Sequence, residues 1–265
     1  MIDLHTHPIA AIDDGVQSED EAVQFCRIAA EDGITTLVAT PHIREGIFPN
    51  RRDGILAGLE KLRARLAREG VKLTLAPGAE IHLEAELTVR VRSGEYLTLN
   101  DGGCYLLLEL PSRHLPAGVE DMIYRLRLDG LTPVIAHPER IRPFQEDASR
   151  FARLVELGAL GQLTGGSLLG QFGSQALESA RSLLRDGLVH VLASDSHNTG
   201  PRAPRLTEAR REAERLVGAE AARRMVLDVP RAILAGEEVE PPPEPSHEPE
   251  RRAGWLDWLR GFRRA

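Results

Sequence analysis

The feature that most constrains the fold is a regular alternation of short apolar runs with longer amphipathic stretches. Apolar runs of strand length occur at 1–5, 34–40, 72–79, 104–110, 132–137, 159–164 and 188–194. Between or after them, apolar residues recur with helical spacing near 18–31, 51–69, 83–92, 117–129, 147–157, 173–186 and 204–228. Repeated strand–helix units predict an α/β fold whose parallel strands are joined by right-handed crossovers.

The number of units favours a closed, TIM-like (β/α) barrel, although periodicity alone leaves a doubly wound sheet open. Local signals support the predicted boundaries. Ser18 and Glu21 have the spacing of a capping box at the start of the first helix. Between a helix and the next strand, where a left-handed residue ends many helices, stand Gly33, Gly70, Gly130, Gly158 and Gly187.

Composition limits the classes of protein to which the chain can belong. With 265 residues and 42% hydrophobic content, it can bury one sizeable core, and its net charge of −7 does not favour a nucleic-acid-binding surface. Cys26 and Cys104 provide no disulfide framework. No signal peptide opens the sequence, and no apolar run reaches the ~20 residues of a membrane span. We therefore predict a cytoplasmic protein.

The composition changes after Gly236, which predicts three segments. Residues 1–236 would form the folded domain, and 237–250 are a Pro/Glu-rich linker predicted to be disordered. Residues 251–265 could form a short amphipathic helix, because one helical face would carry Trp255, Trp258, Leu259 and Phe262. Such a helix could dock on a partner or a membrane surface, and a frayed tail is the alternative.

Metal-binding side chains recur at the carboxyl ends of the predicted strands, the edge at which α/β barrels place their active sites. They are His5, His7, Asp14, His42, Glu80, Glu109, His137, Asp195 and His197. Imidazole and carboxylate ligands without cysteine suit Mn, Fe or Zn. Because these ligands exceed the needs of one ion, the sequence predicts two or three ions that share bridging carboxylates.

Two arginines follow these ligands and predict a phosphate site. Arg140 stands three residues after His137, and Arg202 stands five after His197. A guanidinium group binds oxyanions through two parallel hydrogen bonds, and metal clusters activate water and hold phosphoryl oxygens. A cysteine-based phosphatase is excluded, because the residues six positions after the two cysteines are Asp32 and Leu110 rather than arginine.

The segments DLHTHPIAAIDDG, TTLVATPHIREG, APGAEIHL, LLLELP, VIAHPER and LASDSHNTGPRAP resemble the PHP (polymerase and histidinol phosphatase) superfamily. More narrowly, they resemble the bacterial manganese-dependent protein-tyrosine phosphatases of capsule and exopolysaccharide operons, from residue 1 to about residue 236. The resemblance implies a distorted (β/α)7 barrel of the PHP type. It also implies three Mn²⁺ ions held by the nine ligands above, with Arg140 and Arg202 in contact with the phosphate.

The resemblance further implies a substrate, namely phosphotyrosine on the tail of a membrane-associated bacterial tyrosine autokinase that controls polysaccharide export. Two alternatives stay open: a phosphatase for histidinol phosphate or another small phosphomonoester, and a metal-stabilised regulatory partner without catalysis. The sequence is also compatible with a homo-oligomer. A PHP nuclease is disfavoured, because residues 1–236 are acidic and offer no basic stripe for nucleic acid. Four other histidines are assigned no function: His82 fills the core or the rim, His190 is packed, His114 is exposed and His247 lies in the linker. We expect Asp13 only to orient its loop.

Overall fold

The computed structural model describes residues 1–239. The strands in this range are β1 (Ile2–Thr6), β2 (Thr36–Ala39), β3 (His42–Ile43), β4 (Thr74–Pro77), β5 (Glu80–His82), β6 (Tyr105–Glu109), β7 (Thr132–Ala136), β8 (Leu160–Thr164) and β9 (Val191–Ala193). The helices are α1 (Glu19–Glu31), α2 (Arg52–Arg68), α3 (Leu87–Arg92), α4 (Val119–Leu128), α5 (Arg142–Glu146), α6 (Ala148–Glu156), α7 (Gly165–Leu168), α8 (Ser174–Arg185), α9 (Thr207–Val217), α10 (Ala219–Arg223) and α11 (Val229–Ala235).

All strand pairs are parallel, in two sheets with the orders β1-β2-β4 and β3-β5-β6-β7-β8-β9. The sheets are continuous along the chain, since β3 and β5 each begin three residues after β2 and β4 end. The last strand returns to the first: the Asp195 N–H donates to the His5 carbonyl (2.9 Å) and the His7 N–H to the Ser196 carbonyl (3.0 Å). The parallel α/β class is confirmed, and these bonds support the predicted closure.

Most predicted elements are present, and the differences have local causes. The predicted strands 34–40 and 72–79 correspond to β2 and β4, and the short strands β3 and β5, which follow them outside the predicted ranges, were not predicted. The helical pattern at 204–228 is interrupted by Gly218, whose φ of 89° ends α9, and it finishes in a π-helical segment at Arg224–Asp228. The sequence analysis did not predict α5, α7 and α11, because helices of four to seven residues are too short to display a clear period.

The predicted boundary signals are largely confirmed. The Ser18 hydroxyl accepts the N–H of Glu21 (3.2 Å), although the Glu21 carboxylate accepts from Gln17 rather than from Ser18. The five predicted helix-ending glycines all have positive φ. These caps fix where each helix ends, and therefore how each loop enters the next strand.

The core consists of two apolar layers. The smaller layer lies on the inner face of the strands and includes Leu4, Val38, Leu107, Val134 and Val191. The larger layer lies between the strands and the helices. Because the strands are buried on both faces, they are nearly continuous apolar segments. This packing makes the strands a rigid support for the loops at their carboxyl ends.

The domain boundaries stay a prediction. Near the predicted end of the domain, the Tyr105 hydroxyl donates to the Glu237 carbonyl (2.6 Å), and Val239 packs against the inner apolar layer. The predicted amphipathic helix and most of the predicted linker lie outside the described residues. Among the helices at positions 1–239, none has the length and apolar character needed to cross a membrane.

His190 is buried as expected, and its position predicts a loss of stability in acid. Its Nδ1 accepts the N–H of Gly161 (3.1 Å), and burial lowers the pKa of His190 from 6.5 to about 4. Because the unfolded chain takes up this proton first, stability is lost as the pH falls from 6.5 toward 4. We expect this residue to account for about 2–3 kcal/mol of unfolding free energy lost by pH 4.

His190→Asn retains an acceptor for Gly161 but cannot take up the proton. Urea unfolding of both proteins in chelator measures the free energy of unfolding. Between neutral pH and about pH 4, the variant should lose less of this free energy than the wild type. Equal losses in the two proteins would contradict the assignment.

Candidate metal and phosphate site

The structure brings all nine predicted ligands to the carboxyl ends of the strands. His5 lies in β1, His7 lies just beyond it, and Asp14 lies in the loop between β1 and α1. His42 and Glu80 begin β3 and β5, which follow the carboxyl ends of β2 and β4, and Glu109 ends β6. His137 directly follows β7, and Asp195 and His197 follow β9. Ligand atoms lie within 4.8 Å of one another in three groups: His7, Asp14, His42 and His197; His5, His7 and Glu80; and His42, Glu80 and Glu109.

Glu80 is the centre of this cluster. Its Oε2 lies 3.0 Å from His5 Nε2, 3.0 Å from His42 Nδ1 and 3.5 Å from His7 Nε2. Its Oε1 lies 3.0 Å from His137 Nε2, so His137 joins the cluster through Glu80 although it is in none of the three groups. A fully buried carboxylate among four imidazoles can be shared between neighbouring cations.

Asp195 connects the cluster to the two arginines. Its Oδ1 lies 3.5 Å from His5 Nε2 and 2.8 Å from Arg202 Nη2, and its Oδ2 accepts from Arg140. Asp195 and His137 both have positive φ, at 52° and 36°. Such backbone strain at side chains other than glycine is typical of functional sites.

Three buried atoms of the cluster face one another without a well-formed hydrogen bond between them, which fits a cation. His5 Nε2, His7 Nε2 and Glu80 Oε2 are buried and make no hydrogen bond in the described structure, although all three belong to one ligand group. A metal ion among these atoms would satisfy them together, and imidazole with carboxylate is a donor set for Mn, Fe or Zn.

Ion pairs between imidazoles and carboxylates dominate the electrostatics of the cluster. Burial disfavours charge on His5 and His42, but the Glu80 carboxylate outweighs it, with Asp195 and Asp14, and raises their pKa values to about 9 and about 10. Burial and the neighbouring His197 lower the pKa of His7 to about 4. The pKa of Glu80 itself lies well below its usual value because of His5 and His42, despite its burial. Protons on imidazoles thus balance the carboxylates, and a metal would have to displace them.

Two residues contact the predicted ligands His5 and His7, of which the sequence analysis missed Gln162 and gave Asp13 only a loop-orienting role. The Nδ1–H of His5 donates to Gln162 Oε1 (2.7 Å), and the Nδ1–H of His7 donates to Asp13 Oδ2 (2.8 Å). The same Asp13 oxygen accepts the backbone N–H of His42 (3.0 Å). Such contacts fix the tautomer and direct the other ring nitrogen toward a metal. A signal existed for Gln162, a lone polar amide in the apolar strand LGQLT.

Substitution of Asp13 is therefore expected to affect metal binding, and not only the orientation of its loop. One carboxylate oxygen of Asp13 accepts from His7 and His42, and the other accepts the Gly15 N–H (2.9 Å). The amide of Asp13→Asn has a single oxygen and cannot replace both acceptors. We expect metal affinity to fall about 10- to 100-fold, measured by competition with a chelator. Asp53→Asn, an exposed residue of α2, is the matched control, and an unchanged affinity in Asp13→Asn would refute the orienting role.

The two predicted arginines converge at the rim of the cluster. Arg140 ends a 3₁₀ turn at Pro138–Arg140, and Arg202 lies in the loop after β9. Arg202 Nη2 also donates to the Asp195 carbonyl (2.8 Å), whereas its buried Nε–H has no hydrogen-bond partner in the described structure. The guanidinium carbons of Arg140 and Arg202 lie 4.5 Å and 5.8 Å from the ring centre of Phe172. A cationic rim thus adjoins the carboxylate–imidazole cluster.

Residues 1–235 match a family model described as capsular polysaccharide synthesis, CpsB/CapC. The chain belongs to this family. It is 38% identical to the tyrosine-protein phosphatase YwqE of Bacillus subtilis, over 83% of this chain and 86% of YwqE. It is 29% identical to the tyrosine-protein phosphatase CpsB of Streptococcus pneumoniae, over 88% of this chain and 98% of CpsB. The family resemblance inferred from the motifs is confirmed.

Solved structures agree with this assignment. One crystal structure, from work on YwqE and CpsB that describes both as metal-dependent tyrosine phosphatases, aligns with a TM-score of 0.87 at 35% identity. The alignment covers 94% of this chain and all of the other. A β-aspartyl dipeptidase of Fervidobacterium islandicum aligns with a TM-score of 0.55 at 13% identity, over 92% of this chain and 76% of the other, which shows likeness of fold alone.

Proposed function

We propose that this protein is a metal-dependent protein-tyrosine phosphatase of capsular or exopolysaccharide synthesis. The observation that carries the proposal is the convergence of nine histidine and carboxylate ligands with two arginines at one edge of the parallel strands. Family membership supports the same reaction. Hydrolysis of a phosphate ester needs an activated water and cationic groups that hold the phosphoryl oxygens, and these residues are suited to provide both.

We propose that the native metal is manganese and that three ions bind, one at each ligand group. The groups overlap, and Glu80 belongs to two of them; its carboxylate has two oxygens that neighbouring ions could share, whereas each imidazole nitrogen would bind a single ion. When bound, the ions supply Lewis-acid activation of water and of the phosphoryl oxygens. Asp13 and Gln162 hold His7 and His5 in the orientation that ligation needs.

Arg140 and Arg202 would bind the non-bridging phosphoryl oxygens. Both guanidinium groups already contact one carboxylate, so their donors are directed to a common point at the rim. Charge on the phosphoryl oxygens is redistributed as the ester bond breaks, and fixed cationic donors stabilise that state without reorganising. The unpartnered Nε–H of Arg202 offers one further donor to an oxyanion.

The substrate we propose is a phosphotyrosine protein, namely a membrane-associated tyrosine kinase of the polysaccharide export system. Dephosphorylation would then take place in the cytoplasm. The named activity of YwqE and CpsB supports phosphotyrosine over histidinol phosphate. The presence of every predicted ligand together with both arginines argues against a regulatory partner without catalysis.

The test uses the full chain, stripped with chelator and reloaded separately with Mn²⁺, Fe²⁺ or Zn²⁺. We expect Mn²⁺ to restore hydrolysis of a phosphotyrosine peptide, with kcat/KM at least about tenfold above that for histidinol phosphate or a phosphoserine peptide. Metal analysis of the same preparation gives the number of ions per chain. A metal-replete protein that leaves the phosphotyrosine peptide intact would refute the proposal, and preference for histidinol phosphate would favour the alternative substrate.

A further inference from the structure

We propose that Phe172 is a positioning residue that holds the guanidinium groups of Arg140 and Arg202 together at the phosphate-binding rim. This inference rests on the proposed function, because it assigns the pair to the phosphate. Both guanidinium carbons lie over the Phe172 ring, at 4.5 Å and 5.8 Å from its centre. A cation within about 6 Å of an aromatic ring centre is attracted to the face of the ring.

The arginines need such a support because they come from separate parts of the chain. Arg140 follows β7 and Arg202 follows β9, and each has a long side chain with many accessible rotamers. Both contact Asp195, a predicted metal ligand, so this carboxylate has another role when metals are bound. Phe172 provides a second common contact that involves none of the predicted ligands.

The loop that carries Phe172 is fixed by its own backbone. It joins α7 to α8, and within it the Gln171 N–H donates to the Gly166 carbonyl (2.9 Å) and the Gly173 N–H to the Gly170 carbonyl (3.2 Å). Gly166 lies close to the Gln171 and Phe172 side chains. An added Cβ would lie 2.4 Å from Gln171 Oε1 and 3.0 Å from the Phe172 ring.

A buried carboxylate ties α7, the helix before this loop, to the turn that carries Arg140. Glu139, the preceding residue, is fully buried. Its Oε1 accepts the Ser167 hydroxyl (2.7 Å) and the Thr164 N–H (3.3 Å) at the start of α7. The turn that carries Arg140 is therefore tied to α7, the helix that precedes the Phe172 loop, as preorganisation of a phosphate-binding pair requires.

The decisive variant is Phe172→Leu, which keeps apolar volume and removes the aromatic face. In the Mn²⁺-loaded full chain, we expect kcat/KM to fall about tenfold for both p-nitrophenyl phosphate and an alkyl phosphate. Binding of inorganic phosphate, measured by calorimetry, should weaken by a similar factor with metal content unchanged. Phe172→Trp retains an aromatic face that can bind a cation, so its kcat/KM and its phosphate affinity should stay close to those of the wild type.

Tyr124→Leu is the control, because it removes a half-exposed aromatic ring on α4 and should leave all these values unchanged. Gly166→Ala is an independent variant that keeps the ring but displaces it, and we expect it to weaken phosphate binding as well. Loss confined to aryl phosphates would overturn the proposal and assign Phe172 to contact with the substrate ring.

The two proposals can fail separately. If the wild type hydrolyses phosphotyrosine and Phe172→Leu matches it in turnover and phosphate binding, the positioning role is wrong and the proposed function stands. If the wild type has no phosphatase activity, the proposed function fails, and phosphate binding still decides whether Phe172 supports an oxyanion site.

Discussion

Replacing Arg140 with alanine is expected to lower kcat/KM for a phosphotyrosine peptide about 10²- to 10³-fold while metal content stays at the wild-type level. The guanidinium group lies at the rim of the ligand cluster, bonded to Asp195 and stacked on Phe172, and it is not a metal ligand. Its removal takes away two donors for phosphoryl oxygens, whereas Asp195 keeps its contact with Arg202.

Arg142→Ala is the matched control for this experiment. It stands two residues later at the start of α5, with an exposed side chain paired only to Glu146 in the described structure, and should retain full activity. Arg140→Lys keeps the charge but loses the planar fork, so we expect it to recover only part of the lost rate. Unchanged turnover in Arg140→Ala would remove Arg140 from the phosphate site, and loss of metal would reassign it to support of the cluster.

The second large effect is expected from Glu80→Gln, which should weaken metal binding at least about 100-fold and abolish measurable turnover. Glu80 is the fully buried carboxylate that belongs to two of the three ligand groups and faces His5, His7, His42 and His137. The amide retains the size of the side chain but removes the negative charge and one of the two acceptor oxygens.

Metal analysis after gel filtration, together with the phosphotyrosine assay, measures both consequences. Glu86→Gln changes an exposed glutamate six residues later, which pairs with Arg90, and should retain metal and activity. Circular dichroism separates loss of metal from loss of fold. A folded Glu80→Gln protein with its full metal content would contradict the central position assigned to Glu80.

Much of the site could be predicted because its residues follow a rule that is local in sequence. His5, His42 and His137 each stand at the end of an apolar run, and in a parallel sheet all such ends lie at one edge. Strand length, helix period and capping depend on neighbouring residues, so the parallel α/β class and most element positions were also accessible. The short helices α5 and α7 were not, because they contain too few residues to show a period.

The partners of each ligand could not be predicted in the same way. His5 and Gln162 are separated by 157 residues, and Arg140 and Asp195 by 55. Their contact depends on which strands are neighbours and on the register between them, neither of which leaves a local pattern. The role of Asp13 was underestimated for the same reason, since it orients the His7 ring and accepts the backbone N–H of His42.

The sequence by itself therefore determined the class of fold, the family and the set of histidine and carboxylate side chains at the strand ends, because these follow from periodicity, from motifs and from residue types at strand ends. Only the tertiary structure decided that Glu80 lies at the centre, that Asp13 and Gln162 orient His7 and His5, and that one phenylalanine supports both arginines. Such contacts result from strand order and side-chain packing across the whole fold, which no single segment encodes.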